Sequence, residues 1–377
     1  MQKNSKKIAV IAPPFTVIPP KGQGGTEKIV YEMVEGFHKK GYKVTLFGAG
    51  NCKTSVELIQ IFKKPINDIK SNPSHVEISR PLRLEAVYLV KVMEEIIKRR
   101  KEFDLIFNHA RGGYLFLPLS NFLKIPIITI LHLPIFKELA EMLMNYKKTN
   151  IITVSNSQRK DFEKIDYLAT IYNGVDPDEF IFSPKVKDHF LFMGALGEHK
   201  NPKDSILAAK KAGAKLILAG GKQREPYFSK EIKPLIDNKK IIYAGEVCGK
   251  KRLDLLKYAK ALLFPIKWEE PFGLVMIEAM ACGTPVIAFA RGSVPETIKD
   301  GETGFIINFS NNDRRGNWLI KKTGLTGMIE AIKKIHDMPT DDYLEMRKNC
   351  REHIESNFTT EKMIDEYEKV YLELCRK

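Results

Sequence analysis

The densest chemistry in this chain of 377 residues lies in the segment Trp268-Glu-Glu-Pro-Phe-Gly-Leu-Val-Met-Ile-Glu-Ala-Met-Ala-Cys-Gly-Thr-Pro-Val-Ile-Ala288. A strand ending near Pro265 passes into a polar loop. Pro271 and Gly273 then set the entry of an amphipathic helix from about Leu274 to Cys282, and Gly283 stops it. The backbone N–H groups of Phe272, Gly273 and Leu274 point out of the helix N-terminus, where the positive dipole end favours a phosphate. Two carboxylates flank this anion site, Glu270 in the loop and Glu278 on the helix. Carboxylates beside an anion are electrostatically costly unless they bind something else, and the hydroxyls of a neutral polyol are suitable donors to them. The segment therefore reads as a clasp for a sugar-like ligand carrying a phosphate. Helix capping plus a surface glutamate is the structural alternative.

Other candidates follow strands. The Gly24-Gly25 turn comes after the first strand and opens a helix, so its backbone can approach a phosphate without a side-chain clash; a plain tight turn is the alternative. His132 follows the run Ile127–Leu131 and His109 follows Leu105–Asn108, which points both toward a ligand-binding edge or makes them structural. Lys222 and Arg224, after Lys215–Ala219, either reach a phosphate or belong to the solvated surface. Asp176-Pro-Asp178 reads as the metal-binding string Asp-x-Asp, yet it sits in the turn Asn173-Gly-Val-Asp176. No metal and no cofactor are expected, because a helix N-terminus and basic side chains can neutralise a phosphate leaving group.

These groups need elements to position them. Short apolar or β-branched runs alternate with longer amphipathic stretches along the chain, the pattern of βα units around parallel sheets. The first half predicts strands at Lys7–Ala12, Lys43–Phe47, Leu105–Asn108, Ile127–Leu131, Ile151–Ser155 and Thr170–Tyr172. The second predicts Phe190–Met193, Lys215–Ala219, Ile241–Ala244, Ala261–Phe264, Val286–Phe289 and Gly304–Ile307. Two such sets imply two doubly wound α/β domains, residues 1–184 and 185–357, with a hinge near 185 where Pro184 and charges interrupt the pattern. Residues 358–377 form a C-terminal helix expected to pack back on the first domain, with Met363, Ile364, Tyr367, Val370, Tyr371 and Leu374 at helical spacing. Open α/β sheets bind ligands outside the carboxyl ends of their strands, so two facing sheets would create a cleft.

Composition sets the outer limits. Charged residues at 28% and hydrophobic ones at 44% are those of an ordinary globular protein, which excludes a disordered or collagen-like chain. Lys and Arg number 61 against 46 Asp and Glu, a net charge of +15, but the positive charge is spread in short runs interleaved with Glu. It accompanies no nucleic-acid-binding signature, so no nucleic acid is expected as a partner. Five cysteines without paired spacing fit neither a disulfide framework nor a zinc site, and suggest a reducing cytoplasm. The apolar stretch Ile8–Phe15 reads as a buried strand, not a signal peptide. Ile125–Phe136 is too short to cross a bilayer. A helix over Leu84–Lys101, with Leu84, Val87, Tyr88, Val92, Ile96 and Ile97 inward and a basic end, either rests on anionic lipid at the inner face of the membrane or is an ordinary domain helix.

Glu270 and Glu278, separated by seven residues, with Pro-Phe-Gly between and Ala-Met-Ala-Cys-Gly-Thr-Pro-Val-Ile after, closely resemble the signature of family 4 retaining glycosyltransferases. Gly24-Gly25-Thr26-Glu27, Asn173-Gly174-Val175-Asp176, Arg291-Gly-Ser-Val-Pro-Glu296 and Asp300-Gly-Glu-Thr-Gly304 resemble that family in the expected order, over nearly the whole chain. The form Pro-Pro-Lys-Gly-Gln-Gly-Gly-Thr-Glu27 looks like a subgroup that includes a UDP-glucose:tetrahydrobiopterin glucosyltransferase.

The resemblance implies the GT-B fold, two facing Rossmann-like domains. It implies that Glu270 meets donor-sugar hydroxyls, Glu278 the nucleotide ribose, and the amides of Phe272 to Leu274 the sugar and diphosphate. His132 would lie near the donor's sugar and phosphate. Gly245 and Val247 would hold the base by main-chain contacts. Gly194-Ala195-Leu196 with Lys200 matches the family's phosphate-clamping segment, which usually has Arg where this chain has Ala195. That departure removes a charge-assisted contact to the leaving group. The implied activity is metal-independent transfer of a hexose, glucose first, from UDP-glucose to an acceptor hydroxyl, with an α-linked product. The acceptor, whether small molecule, lipid or glycan, is unreadable, and a nucleotide-sugar binder with weak or lost activity is the alternative.

Overall fold

The computed structural model describes residues 6–22, 24–69, 79–146, 149–222 and 225–375. The chain divides into two compact units, one made of Met1–Val154, Arg159–Tyr172 and Thr360–Lys377, the other of Ser155–Gln158 and Asn173–Thr359.

Among the described residues, the first unit carries a sheet of seven parallel strands: β1 (Lys7–Ile11), β2 (Lys43–Ala49), β3 (Glu57–Phe62), β4 (Leu105–Asn108), β5 (Ile127–Leu131), β6 (Ile151–Thr153) and β7 (Tyr167–Thr170). Their spatial order is β3-β2-β1-β4-β5-β6-β7. The order reverses between β1 and β4, which makes the carboxyl ends of those two strands the switch point where doubly wound sheets bind ligands. Helices cover both faces of such a sheet, so its inner strands are apolar without alternation; Ile8, Ala9, Val10 and Ile11 are all fully buried. The edge behaves differently. β3 was not among the expected strands, because it is only half-buried and Glu57 and Gln60 break its apolar run. At the other edge β7 covers Tyr167–Thr170 where Thr170–Tyr172 was expected; it too is half-buried, and its ladder with β6 is irregular between Ile151 and Ile152.

The helix Arg80–Lys98 starts four residues before the expected Leu84. Tyr88, Val92 and Ile96 face inward as expected, joined by Leu89, but Val87 and Ile97 are 49% and 42% exposed. The C-terminal helix Thr360–Cys375 belongs to the first unit. Its Met363, Ile364, Tyr367, Val370 and Tyr371 are buried. Tyr367 packs edge-on to Phe107 of β4, and Lys40 reaches both Asp365 at 2.7 Å and Glu368 at 2.6 Å.

The second unit's described residues form six parallel strands: β8 (Phe190–Met193), β9 (Leu216–Ala219), β10 (Ile241–Gly245), β11 (Leu262–Phe264), β12 (Val286–Phe289) and β13 (Gly304–Ile307). The order β10-β9-β8-β11-β12-β13 repeats the same winding, so its switch point lies after β8 and β11. The division between units falls at Tyr172/Asn173, ahead of the proline-interrupted stretch near 185. The reason is local. Val175 N–H donates to Phe358 O at 2.9 Å, Arg351 Nη1 to Pro177 O and Phe180 O, and the buried Arg347 to Ser183 O, so residues 173–183 are fastened to this unit before β8 begins. No helix among the described residues is long and apolar enough to cross a membrane.

Candidate active site

In the second unit the switch point is built by the loops after β8 and β11. The β8 loop ends in a short turn, Glu198–Lys200, and Asn201 in the left-handed region at φ +56°. Asn201 Nδ2 donates to Pro265 O at 2.9 Å, which ties this loop to the end of β11. The connection brings Lys200 to Glu270: Lys200 Nζ donates to Glu270 Oε2, and Trp268 Nε1 donates to the same oxygen at 2.7 Å. The Lys200 ammonium also lies 5.1 Å from the Trp268 ring centre. A cation, a carboxylate and an indole, mostly shielded from water, therefore meet in front of the helix Leu274–Ala281. Gly273, at φ +80°, turns the chain into that helix, and Phe272 is buried against Phe358. The helix ends one residue before the expected Cys282, with Gly283 N–H bonded to Met280 O.

Glu278 is 2% exposed and forms an ion pair with Arg252 Nη2. Arg252 comes from the helix Gly249–Tyr258, which follows Gly245 at the end of β10 and Val247 in the loop after it. Gly245 sits at φ +75° with open space where a Cβ would be, and Val247 is buried. Ala195 follows Gly194, whose N–H is bonded to Ala219 O. Lys222 rests over the Phe228 ring at 4.5 Å, and Arg224 lies outside the described residues. The Asp176 carboxylate accepts the N–H of Asp178 at 2.9 Å, closing its own turn.

A second layer holds the Glu270 loop in place. Arg315 grips Glu269 with two bonds of 2.6 and 2.7 Å, and Arg291 adds one of 2.9 Å. Gly292 N–H donates to Glu269, Ser293 N–H to Glu270 O, and Ser293 Oγ to Phe272 O at 2.6 Å. Burial raises the Glu269 carboxyl, but the two guanidinium groups and the Gly292 amide outweigh it and hold it down at about 2.

In the first unit, Gly24 and Gly25 open the helix Gly25–Lys39 after β1, and a Cβ on Gly24 would lie 2.8 Å from Pro20 Cβ. His109 and His132 follow β4 and β5. Their rings stack 5.1 Å apart, with His109 Nδ1 2.9 Å from His132 Nε2 and His109 Nε2 3.2 Å from Met33 Sδ. A thioether sulfur only accepts, so His109 carries its proton on Nε2, its Nδ1 accepts from His132 Nε2–H, and His132 Nδ1 keeps a lone pair. Burial keeps both rings neutral, pushing His132 down to about 4 and His109 well below the usual histidine range, with His132 adding to the latter. His109 thus sits behind His132 and orients it.

Residues 23–179 match the profile of Glycosyltransferase Family 4, and residues 178–323 match that of Glycosyl transferases group 1. Together the two matches span residues 23–323, and the chain is similar to the family 4 glycosyltransferases over that length. An uncharacterized glycosyltransferase of Methanocaldococcus jannaschii, MJ1607, is 32% identical over 46% of this chain and 50% of its own length, so the chain spans about half of that relative. The putative glycosyltransferase YtcC of Bacillus subtilis is 25% identical over 90% of this chain and 86% of its own. Anabaena Alr3699/HepE, solved in complex with UDP and glucose, superposes with a TM-score of 0.73 at 15% identity, covering 98% of this chain and 100% of that one, which establishes the GT-B fold.

At this site, sequence reasoning missed Arg252, Glu269 and Arg315. Arg252 sits in the run Lys250-Lys-Arg252, which reads as solvated surface. Pairing of Glu269 with Arg315, 46 positions away, has no sequence signal beyond charge.

Proposed function

We propose that this chain transfers a hexose, glucose first, from UDP-glucose to an acceptor hydroxyl with retention, giving an α-linked product. The observation that carries the reading is the convergence of Lys200, Trp268 and Glu270 in front of the helix Leu274–Ala281. Its support from comparison is that the Anabaena protein was solved with UDP and glucose. On this reading the diphosphate rests on the first-turn amides of Phe272, Gly273 and Leu274. Lys200 leaves Glu270 for the phosphate oxygens, and the released Glu270 carboxylate accepts sugar hydroxyls. Glu278, with Arg252 beside it, meets the ribose, and Gly245 and Val247 meet the base. His132 and the Gly24-Gly25 turn of the first unit contact substrate as well.

As the bond from the anomeric carbon to the diphosphate breaks, the acceptor oxygen forms its bond on the same face and its proton passes to the departing phosphate oxygen. The protein's part is to position the reactants and stabilise the leaving group, without a metal. A thermal-shift panel of nucleotide sugars tests the donor, since binding to the folded state raises the melting temperature. NMR of the product tests the linkage; a β-glycoside would refute retention. A pterin belongs in the acceptor panel beside lipid and glycan acceptors. Exposed Leu82, Val87 and Val90 on the helix Arg80–Lys98 support peripheral contact with anionic membrane, tested by liposome co-sedimentation.

Ala195 favours a second reading, a nucleotide-sugar binder with little turnover. Calorimetric donor binding without turnover across the acceptor panel would establish it. In an active preparation Ala195→Arg should raise turnover if the absent guanidinium matters.

A further inference from the structure

Two cation–carboxylate pairs stand at the helix Leu274–Ala281, one before it and one on it. Lys200 is paired with Glu270 in the loop ahead of the helix, and Arg252 with Glu278 in the helix itself. Glu278 stands four residues after Leu274, a rise of about 6 Å. Side chains on an α-helix point back toward its N-terminus. The Glu278 carboxylate, and the Arg252 guanidinium bonded to it, therefore lie toward the first-turn amides.

Of that pair, the cation is the accessible partner. The Arg252 side chain is 24% exposed and that of Glu278 only 3%. A guanidinium carries a fork of N–H donors. Glu278 takes up Nη2, the Phe180 ring lies 5.9 Å from the guanidinium carbon, and no other acceptor bonds the guanidinium among the described residues. Donors remain for a further anion.

The charge balance shows what that anion needs. The two pairs are neutral as they stand. Lys200 with the helix terminus would face a diphosphate that gains charge as it leaves, and Ala195 holds no cation to help. Lys222, the other described substitute, lies on the Phe228 ring. A nucleoside diphosphate sugar carries its phosphates between two hydroxyl-bearing rings. If both pairs open onto it, each carboxylate gains hydroxyl donors and each cation gains phosphate oxygens, so no charge is left unpaired.

Resting on the donor reading above, we propose that Arg252 is a diphosphate-binding residue. Its guanidinium exchanges Glu278 for phosphate oxygens and supplies the charge that Ala195 lacks, while the freed Glu278 takes the ribose hydroxyls.

The test measures binding of UDP by calorimetry and of uridine by ligand-observed NMR, on the whole protein and its variants. Arg252→Gln keeps an N–H for Glu278 but loses the charge. It should weaken UDP at least about tenfold and uridine by less than about twofold. Arg252→Lys should recover part of the loss. Adding Ala195→Arg to Arg252→Gln should restore UDP affinity, and should do so by a larger factor than the same change brings to the parent. The inference is overturned if UDP and uridine weaken by the same factor, since Arg252 would then act only through Glu278. It is overturned equally if UDP affinity does not change, or if Ala195→Arg gives no rescue. A parent that binds no UDP would sink the donor reading, and this inference with it; a parent that binds UDP alongside any of the contrary results would sink this inference alone.

Discussion

Gly292 lies against the backbone of Glu270: at φ +55°, any Cβ placed on it would overlap the main-chain oxygen and nitrogen of Glu270. The loop carrying Glu270 is therefore set by a position where no side chain fits. Gly292→Ala should displace that loop, costing more than about 2 kcal/mol of stability and lowering kcat/KM at least about tenfold. Urea unfolding and donor turnover on the same preparation check both effects.

Glu270 and Lys200 should prove inseparable. Glu270→Gln and Lys200→Met are each expected to lower kcat/KM by about 10²–10³. The double variant should lose far less than the product of the two, because the groups act as one unit. Strictly additive losses would show that the ion pair is unrelated to turnover.

Glu269 gives the fold an acid limit. Its carboxyl lies at about 2 in the folded chain against an ordinary 4.5, so its stabilisation is complete above 4.5 and is lost as the pH falls toward 2. With 45% of the side chain exposed, solvent screening brings the contribution to about 1 kcal/mol. Chemical unfolding of the parent and Glu269→Gln at several pH values should converge near pH 2 and separate above 4.5.

The histidine pair gives a second limit, in a different window. His132 titrates near 4 when folded and near 6.5 when not, so the unfolded chain takes up the proton first and stability falls as the pH drops from 6.5 to 4. The effect reaches about 3 kcal/mol for this ring. NMR should find both rings neutral at pH 6, with His132 protonated on Nε2; a charged ring at that pH would contradict the tautomer assignment.

Tyr367 separates packing from polarity. Its ring is fully buried beside Phe107, while its hydroxyl has no hydrogen-bond partner among the described residues. Tyr367→Phe should be neutral or stabilising by up to about 1 kcal/mol. Tyr367→Ala should cost about 3–5 kcal/mol by opening a cavity under the C-terminal helix. Thermal unfolding of the two variants distinguishes these outcomes.

The sequence makes legible what burial on both sides imposes. β8, β12 and β13 are unbroken apolar runs, β1, β4 and β5 are apolar but for Lys7, Asn108 and Thr129, and the candidate groups after them stand where strand ends put them. What it hides is set by contacts distant along the chain. β3 and β7 are half-buried edges, so their composition carries little signal. The unit boundary depends on Arg347 and Arg351 gripping residues 177–183 from more than 160 positions away, a pairing no local pattern announces. Arg252 and Arg315 looked like surface charge because only tertiary structure supplies their carboxylates.

Val175 and Thr359 form a parallel bridge, so the chain enters and leaves the main body of the second unit at one place. That body is thus a cassette spliced into the first unit's chain at neighbouring ends. Exchanging it for a relative's would require only two adjacent joins, leaving intact the sheet of the first unit and the helix that completes it. The main body of the second unit can in this way be replaced over generations without rebuilding the first unit.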